Sequence, residues 1–164
     1  MIGIDPGKKG AIACLDHGGG LCWVKDTPLI GAKRPEYDGA LMREILLSPE
    51  ALSEEVRVYI ERQASMPDQS STSTFSQGEG FGLWKGLLLA LQIPFEIVRS
   101  QEWTKAIYKG MPRGLGKRRG VLAVQQMWPK QVQLFRGPRG GERDDRCDAA
   151  LIAEYGRRQF YGKT

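Results

Sequence analysis

A chain of 164 residues with 41% hydrophobic and 26% charged side chains has material for one real core, and its composition excludes a disordered or fibrous polymer. Lys and Arg number 24 against 19 Asp and Glu, a formal net charge of +5, which favours a polyanionic partner over an acidic small molecule. The longest apolar run, residues 87–91, is far too short to span a bilayer, and Cys14, Cys22 and Cys147 lack the paired spacing of a disulfide or zinc scaffold, so a cytoplasmic protein with reduced thiols is expected.

Residues 1–5 read as a buried strand closed by the turn Pro6-Gly7, with no targeting segment ahead of it. Segments 11–15 and 21–25 flank Asp16-His17-Gly18-Gly19-Gly20, a hairpin pattern. Residues 37–47 space their apolar side chains as a helix, with Pro49 beyond its end. Val56-Arg57-Val58-Tyr59-Ile60-Glu61 is the next strand, its apolar residues close-set as in a buried sheet. Residues 63–82, rich in Ser, Thr and Gly, begin as a loop, and 83–91 form a helix that is apolar almost all round.

Phe95-Glu96-Ile97-Val98 is a strand after Pro94, and Ser100 suits the cap of a short helix carrying Trp103 and Ile107. Residues 110–116 read as a Gly/Pro/Arg loop, 117–128 as a helix, 129–141 as a loop and 144–161 as the last helix. The order β-β-β-α-β-α-β-α-α-α, without repeat or linker, predicts a single domain over residues 1–164. Three hairpin-connected strands and two reached through helices make an α/β fold, a mixed five-stranded sheet with helices packed on it.

Four acids sit where that order gathers them. Asp5 ends the first strand, Glu61 ends the fourth, and Asp145 and Asp148, three apart, share a face at the start of the last helix. Singly, each has a plain reading: Asp5 as a turn former, Asp145 as a first-turn acid facing the helix dipole, Glu61 as half of a surface ion pair. Jointly they make an oxygen-ligand site for Mg²⁺ or Mn²⁺, because a carboxylate at a buried strand end is costly without a partner. Two cations about 3.5–4 Å apart can activate a water and stabilise a departing oxygen. The single histidine, His17, lies in a Gly-rich turn and is poorly placed for a Ser-His-Asp triad.

Gly3-Ile4-Asp5-Pro6-Gly7 resembles the opening motif of RuvC-type Holliday-junction resolvases, members of the RNase H-like superfamily. Tyr59-Ile60-Glu61-Arg62-Gln63 resembles their second acidic strand, residues 78–91 their Gly-rich entry to a long interior helix, and Asp145-Arg146-Cys147-Asp148-Ala149-Ala150-Leu151-Ile152-Ala153 their final motif. The similarity spans nearly the whole chain and is closest to phage-encoded members. It implies an RNase H-like fold with helices on both faces of the sheet, a homodimer, two metal ions per site and four-way DNA junctions as substrate. By position, Asp5 would bridge the ions, Glu61 would hold one, and Asp148 with Asp145 the other; Lys117 falls where a basic residue approaches the cleaved phosphate. Products would be a 5′ phosphate and a 3′ hydroxyl. Ala64 departs from the pattern, since resolvases often place an aromatic wedge there, and Phe75, Phe81 or Met66 would have to substitute.

Between Trp103 and Arg119 the chain carries Lys105, Lys109, Arg113, Lys117, Arg118 and Arg119 and no acid, a stretch suited to a phosphate backbone. Arg136, Arg139 and Arg143 form a second basic group beside the acidic pair, and Lys8 and Lys9 follow the first acid. The apolar helix 83–91 is equally a central core helix and a dimer face around Trp84 and Leu87; the resemblance favours the dimer. The rival functions are another RNase H-like nuclease, acting on flaps, branched DNA or RNA–DNA hybrids, and a non-catalytic nucleic-acid-binding module.

Overall fold

The computed structural model describes residues 1–48, 56–64, 69–112, 114–116 and 118–162. Its elements are β1 (Ile2–Asp5), β2 (Ala11–Leu15), β3 (Leu21–Asp26), a small ribbon of β4 (Leu29–Ile30) and β5 (Glu36–Tyr37), α1 (Gly39–Leu46), β6 (Val58–Glu61), α2 (Ser71–Ala90), β7 (Phe95–Val98), α3 (Ser100–Ile107), α4 (Arg118–Met127), a 3₁₀ segment (Pro129–Phe135) and α5 (Asp144–Tyr161). The five-stranded sheet runs β3-β2-β1-β6-β7. β1, β2 and β3 pair antiparallel as hairpins, whereas β6 joins β1, and β7 joins β6, in parallel. The expected mixed α/β sheet with helices on both faces is what forms. No helix among the described residues is long and apolar enough to cross a membrane.

Strand alternation divides the core in two. Ile2, Ile4, Ile12, Cys14, Val58 and Ile60 pack on one face with Met42, Ile45 and Leu46 of α1 and Trp84 and Leu88 of α2. Ala11, Ala13, Leu15 and Tyr59 face the other way, onto α3, α4 and the small apolar stripe Ala149-Ala150-Leu151-Ile152-Ala153 of α5. Gly3 belongs to this second face. A Cβ there would overlap the Ala149 carbonyl oxygen and the Ala153 backbone, so a residue without a side chain lets α5 lie directly on β1.

Local propensity misplaced some boundaries. Residues 71–82 are helix rather than loop: α2 starts twelve residues before the expected 83, with Ser70 Oγ accepting from Ser73 N at 3.2 Å as its N-cap. Ser, Thr and Gly are weak helix formers, but Tyr37 Oη donates to Ser76 O at 2.9 Å, and Gly80 packs against the Pro6 carbonyl and the Tyr37 ring, where a Cβ would overlap both. Tertiary contact overrides propensity here. The helix expected over 37–47 is shorter, Gly39–Leu46, because Asp38 Oδ1 caps Leu41 N at 3.0 Å and Tyr37 pairs with Leu29 in the ribbon. The expected loop 129–141 contains the 3₁₀ segment and an Arg136–Glu142 bridge.

Trp84 and Leu88 are wholly buried, so the apolar surplus placed around Trp84 and Leu87 is mostly core; Leu87 is half-buried against the same cluster. What α2 leaves outside is Phe75, 73% exposed, Leu89, 60%, and Leu83, 37%.

Candidate functional site

The two core faces explain where the acids go. Counting by twos along β1 takes Gly3, under α5, to Asp5; along β6 it takes Tyr59, against which Gly156 of α5 packs, to Glu61. β1 and β6 are parallel and in register, Gly3 opposite Tyr59 and Ile4 opposite Ile60, so Asp5 and Glu61 leave neighbouring strands at one sheet end and on one face. On α5, Asp145 lies one turn before Ala149 on the sheet-facing stripe. The helix therefore carries Asp145 and Asp148 past the strand ends, towards the same place.

The electrostatics of Asp5 reflect this placement. Burial first, then the charges of Glu61, Asp148 and Asp145, hold the Asp5 carboxyl well above the usual carboxylate range, against a hydrogen bond from the Gly7 backbone. Asp5, Glu61 and Asp145 line one cleft of about 710 Å³ with Lys8, Lys9 and the first turns of α2. Asp144, Asp145 and Asp148 line a neighbouring one of about 320 Å³ with Trp103, Tyr108 and Gly120.

Among the described residues, no group of three or more His, Cys, Asp or Glu side chains is drawn together tightly enough to form a ligand shell as it stands. The donor chemistry nevertheless fits a hard cation. All four groups are carboxylates, and burial together with the three neighbouring charges disfavours the ionised form of Asp5, a cost that a divalent ion would offset.

Several side chains hold this arrangement without having been singled out in the sequence. Trp103 is buried in the core, yet its Nε1 donates to Glu61 Oε1 at 2.9 Å. No local signal marks a contact spanning 42 residues. Arg146, between the two helix acids, bonds Asp26 through Nε at 2.6 Å and Nη2 at 2.9 Å, and Leu134 O and Arg136 O through Nη1. The Arg146 guanidinium holds the Asp26 carboxyl below its ordinary range and ties the start of α5 to β3. Tyr108 stands beside Asp148, and burial, then that charge, pushes its phenol up.

Trp103→Phe should keep the ring packed while freeing the Glu61 carboxylate. The expected result is roughly a tenfold to hundredfold fall in the affinity of the carboxylate site for a divalent cation, with little change in melting temperature. An affinity equal to wild type would remove the indole from the site.

The basic residues fare unequally. Lys8 lines the larger cleft, and its Nζ donates to Pro35 O at 2.7 Å and stands 5.4 Å from the centre of the Tyr37 ring; Lys9 beside it is exposed. Lys105, Lys109 and Arg118 are exposed on or just after the helices that wall the 320 Å³ cleft. Arg119 is half-buried, its Nη2 donating to Pro112 O at 2.8 Å and its guanidinium over Tyr108. Arg113, Lys117 and Met66 lie outside the described residues. Arg136 and Arg139 are exposed, but Arg143 reaches Asp26 at 3.2 Å, so it too braces the start of α5. Phe81 packs against the α2-side core; Phe75, on the turn of α2 that borders the larger cleft, keeps its ring in solvent. Ala64 is exposed at the cleft's flank.

An α/β sheet of this order, with carboxylates from two strand ends and one helix, defines an RNase H-like fold. No protein-family model matches the chain, and no curated protein does. Among solved structures it resembles T. thermophilus RuvC in complex with Holliday junction substrate, at 15% identity over 97% of this chain and 96% of that one, with a TM-score of 0.60. It also resembles the Thermus thermophilus RuvC structure, at 18% identity over 98% and 97% of the two chains, with a TM-score of 0.56. The fold is RuvC-like from end to end.

Proposed function

We propose that this chain is a structure-selective, Mg²⁺-dependent endodeoxyribonuclease that resolves four-way DNA junctions by paired symmetric nicks, in recombination and repair within a bacterial cytoplasm, as a phage-encoded enzyme would. The observation that carries the reading is that the buried Asp5, at one end of a RuvC-like sheet, lies within reach of the charges of Glu61, Asp145 and Asp148. The neighbour of known complex binds a Holliday junction, which supports branched DNA as the partner.

Asp5, Glu61, Asp145 and Asp148 would hold two Mg²⁺ or Mn²⁺ ions, which when bound supply the Lewis acidity for attack on a phosphodiester. The chain's own groups do the rest. Trp103 keeps Glu61 in one orientation through its N–H, and Arg146 and Arg143 fix the helix start that carries Asp145 and Asp148. Lys105, Lys109, Arg118 and Lys117 approach DNA phosphates, offsetting the repulsion between DNA and the acids. Phe75, the exposed aromatic nearest the larger cleft, stacks on a base at the junction's opening, the role Ala64 leaves vacant.

Two opposed cuts in one binding event need two sites related by a two-fold axis, which supports a homodimer, and the exposed Leu83 and Leu89 of α2 offer apolar surface for it. The test compares four-way, three-way, flap and RNA–DNA hybrid substrates with Mg²⁺, alongside sedimentation. Paired nicks confined to the four-way junction, made by a dimer that Leu89→Asp dissociates, are expected. Equal cutting of flaps or hybrids by an 18.3 kDa monomer would replace junction resolution with a single-site branch nuclease, and binding without any cutting would leave a DNA-binding module.

A further inference from the structure

Beyond Glu61 the 710 Å³ cleft continues into two more. Glu61 and Gln63 also line a cleft of about 630 Å³, and Arg62 and Arg99 of that cleft line a third, of about 490 Å³, with Phe81, Lys85, Ile97 and Glu102. Through these shared lining residues the three adjoin in series, as a groove from the carboxylates past the ends of β6 and β7 to α2.

Strand register makes its floor cationic. Glu61 is opposite Val98 in the parallel β6–β7 pair, so Arg62 and Arg99, each one residue past its strand, emerge side by side. Arg62 N donates to Val98 O at 2.7 Å, which pins the two strand ends together. Lys85 enters from α2. The one acid lining the third cleft, Glu102, accepts the Arg99 backbone N–H at 3.0 Å as a helix cap. Among the described residues, none of the three cations has an ion-pair partner. Between them lie Ile97, 42% exposed, and the half-buried Phe81. Positions 62, 85 and 99 belong to three elements far apart in the chain, so no run of charge marks them; only the fold assembles them.

Unpaired cations of one sign, held together around apolar side chains and continuous with a carboxylate site, match a sugar–phosphate backbone with its bases turned inward. We propose that this groove carries the DNA strand that continues from the cleaved bond. Arg62 and Arg99 grip the phosphates next to that bond, Lys85 grips one further along, and Ile97 and Phe81 bear sugars or bases. The inference rests on the nuclease reading above.

The experiment measures four-way junction binding by Asp5→Asn protein, so that nothing is cut, as a function of salt, with and without Arg62→Ala, Lys85→Ala and Arg99→Ala. Each substitution should lower the slope of log K against log salt by roughly one unit, and the triple variant by about three. In phosphate-ethylation interference, the triple variant should lose sensitivity at phosphates beside the cleavage point and keep it elsewhere. Melting temperature should not move, because all three side chains are exposed. Failure of the parent protein to bind junction DNA would defeat the nuclease reading itself. If the parent binds and the triple variant keeps its slope and interference pattern, the groove inference alone is overturned. A triple variant that alters sedimentation but not the slope overturns it as well, assigning the groove to a second copy of the chain.

Discussion

Asp5→Asn, Glu61→Gln and Asp148→Asn should each cut the rate of DNA cleavage by on the order of a thousandfold or more, while junction binding persists. On the proposed reading, each variant removes one negative oxygen donor from the set that would hold the cations, and binding survives because the basic residues around the site would hold the phosphates. Stability separates this role from a structural one. Burial and three like charges already disfavour ionised Asp5, so Asp5→Asn should melt no lower than wild type when divalent ions are absent, and should lose the stabilisation that Mg²⁺ gives wild type. Asp144→Asn serves as the control. Asp144 lines the smaller cleft but points about 100° away from Asp145 around the helix, and its loss should be mild. Full Mg²⁺-dependent activity in any of the first three variants would disprove the carboxylate assignment; gel cleavage rates and thermal melts with and without Mg²⁺ decide it.

Gly3→Val should be the most damaging substitution outside the acids. Even the first carbon of a side chain overlaps the Ala149 carbonyl and the Ala153 backbone, and backbone cannot rotate away as a side-chain tip can. The loss should reach about 3 kcal/mol or more, at the upper end of overpacking costs. Since Gly3 is two residues from Asp5, and Ala149 follows Asp148 directly, lifting α5 off β1 also separates the carboxylates. A variant that still folds should therefore be less active than its melting temperature alone predicts. Gly3→Ala provides the graded case, with a smaller loss in both readouts. Wild-type melting and activity in Gly3→Val would mean that α5 does not rest on β1 at this point.

Much of this was legible in the residues. Asp5 and Glu61 end apolar strands, and Asp145 and Asp148 are three apart on a helix, patterns set by alternation in strands and by helical pitch. The span of α5, residues 144–161, and the five strands of the sheet follow from the same periodicities. The first half of α2 was not legible, because Ser, Thr and Gly prefer loops and its stability comes from Tyr37 and the Pro6 carbonyl, more than 30 residues away in the chain. Nor was the second role of Trp103, whose burial reads as core and whose N–H finds Glu61 only in three dimensions.

The sequence by itself determined which residues carry charge, which end of each strand they occupy and the fold class that collects them, because short-range periodicity encodes all three. The tertiary structure decided how α5 meets β1, which arginines are committed to Asp26 rather than left exposed, and that Arg62, Lys85 and Arg99 line one cleft. Those depend on strand order, register and the close approach that Gly3 permits, and they arise only when segments distant in sequence are packed together.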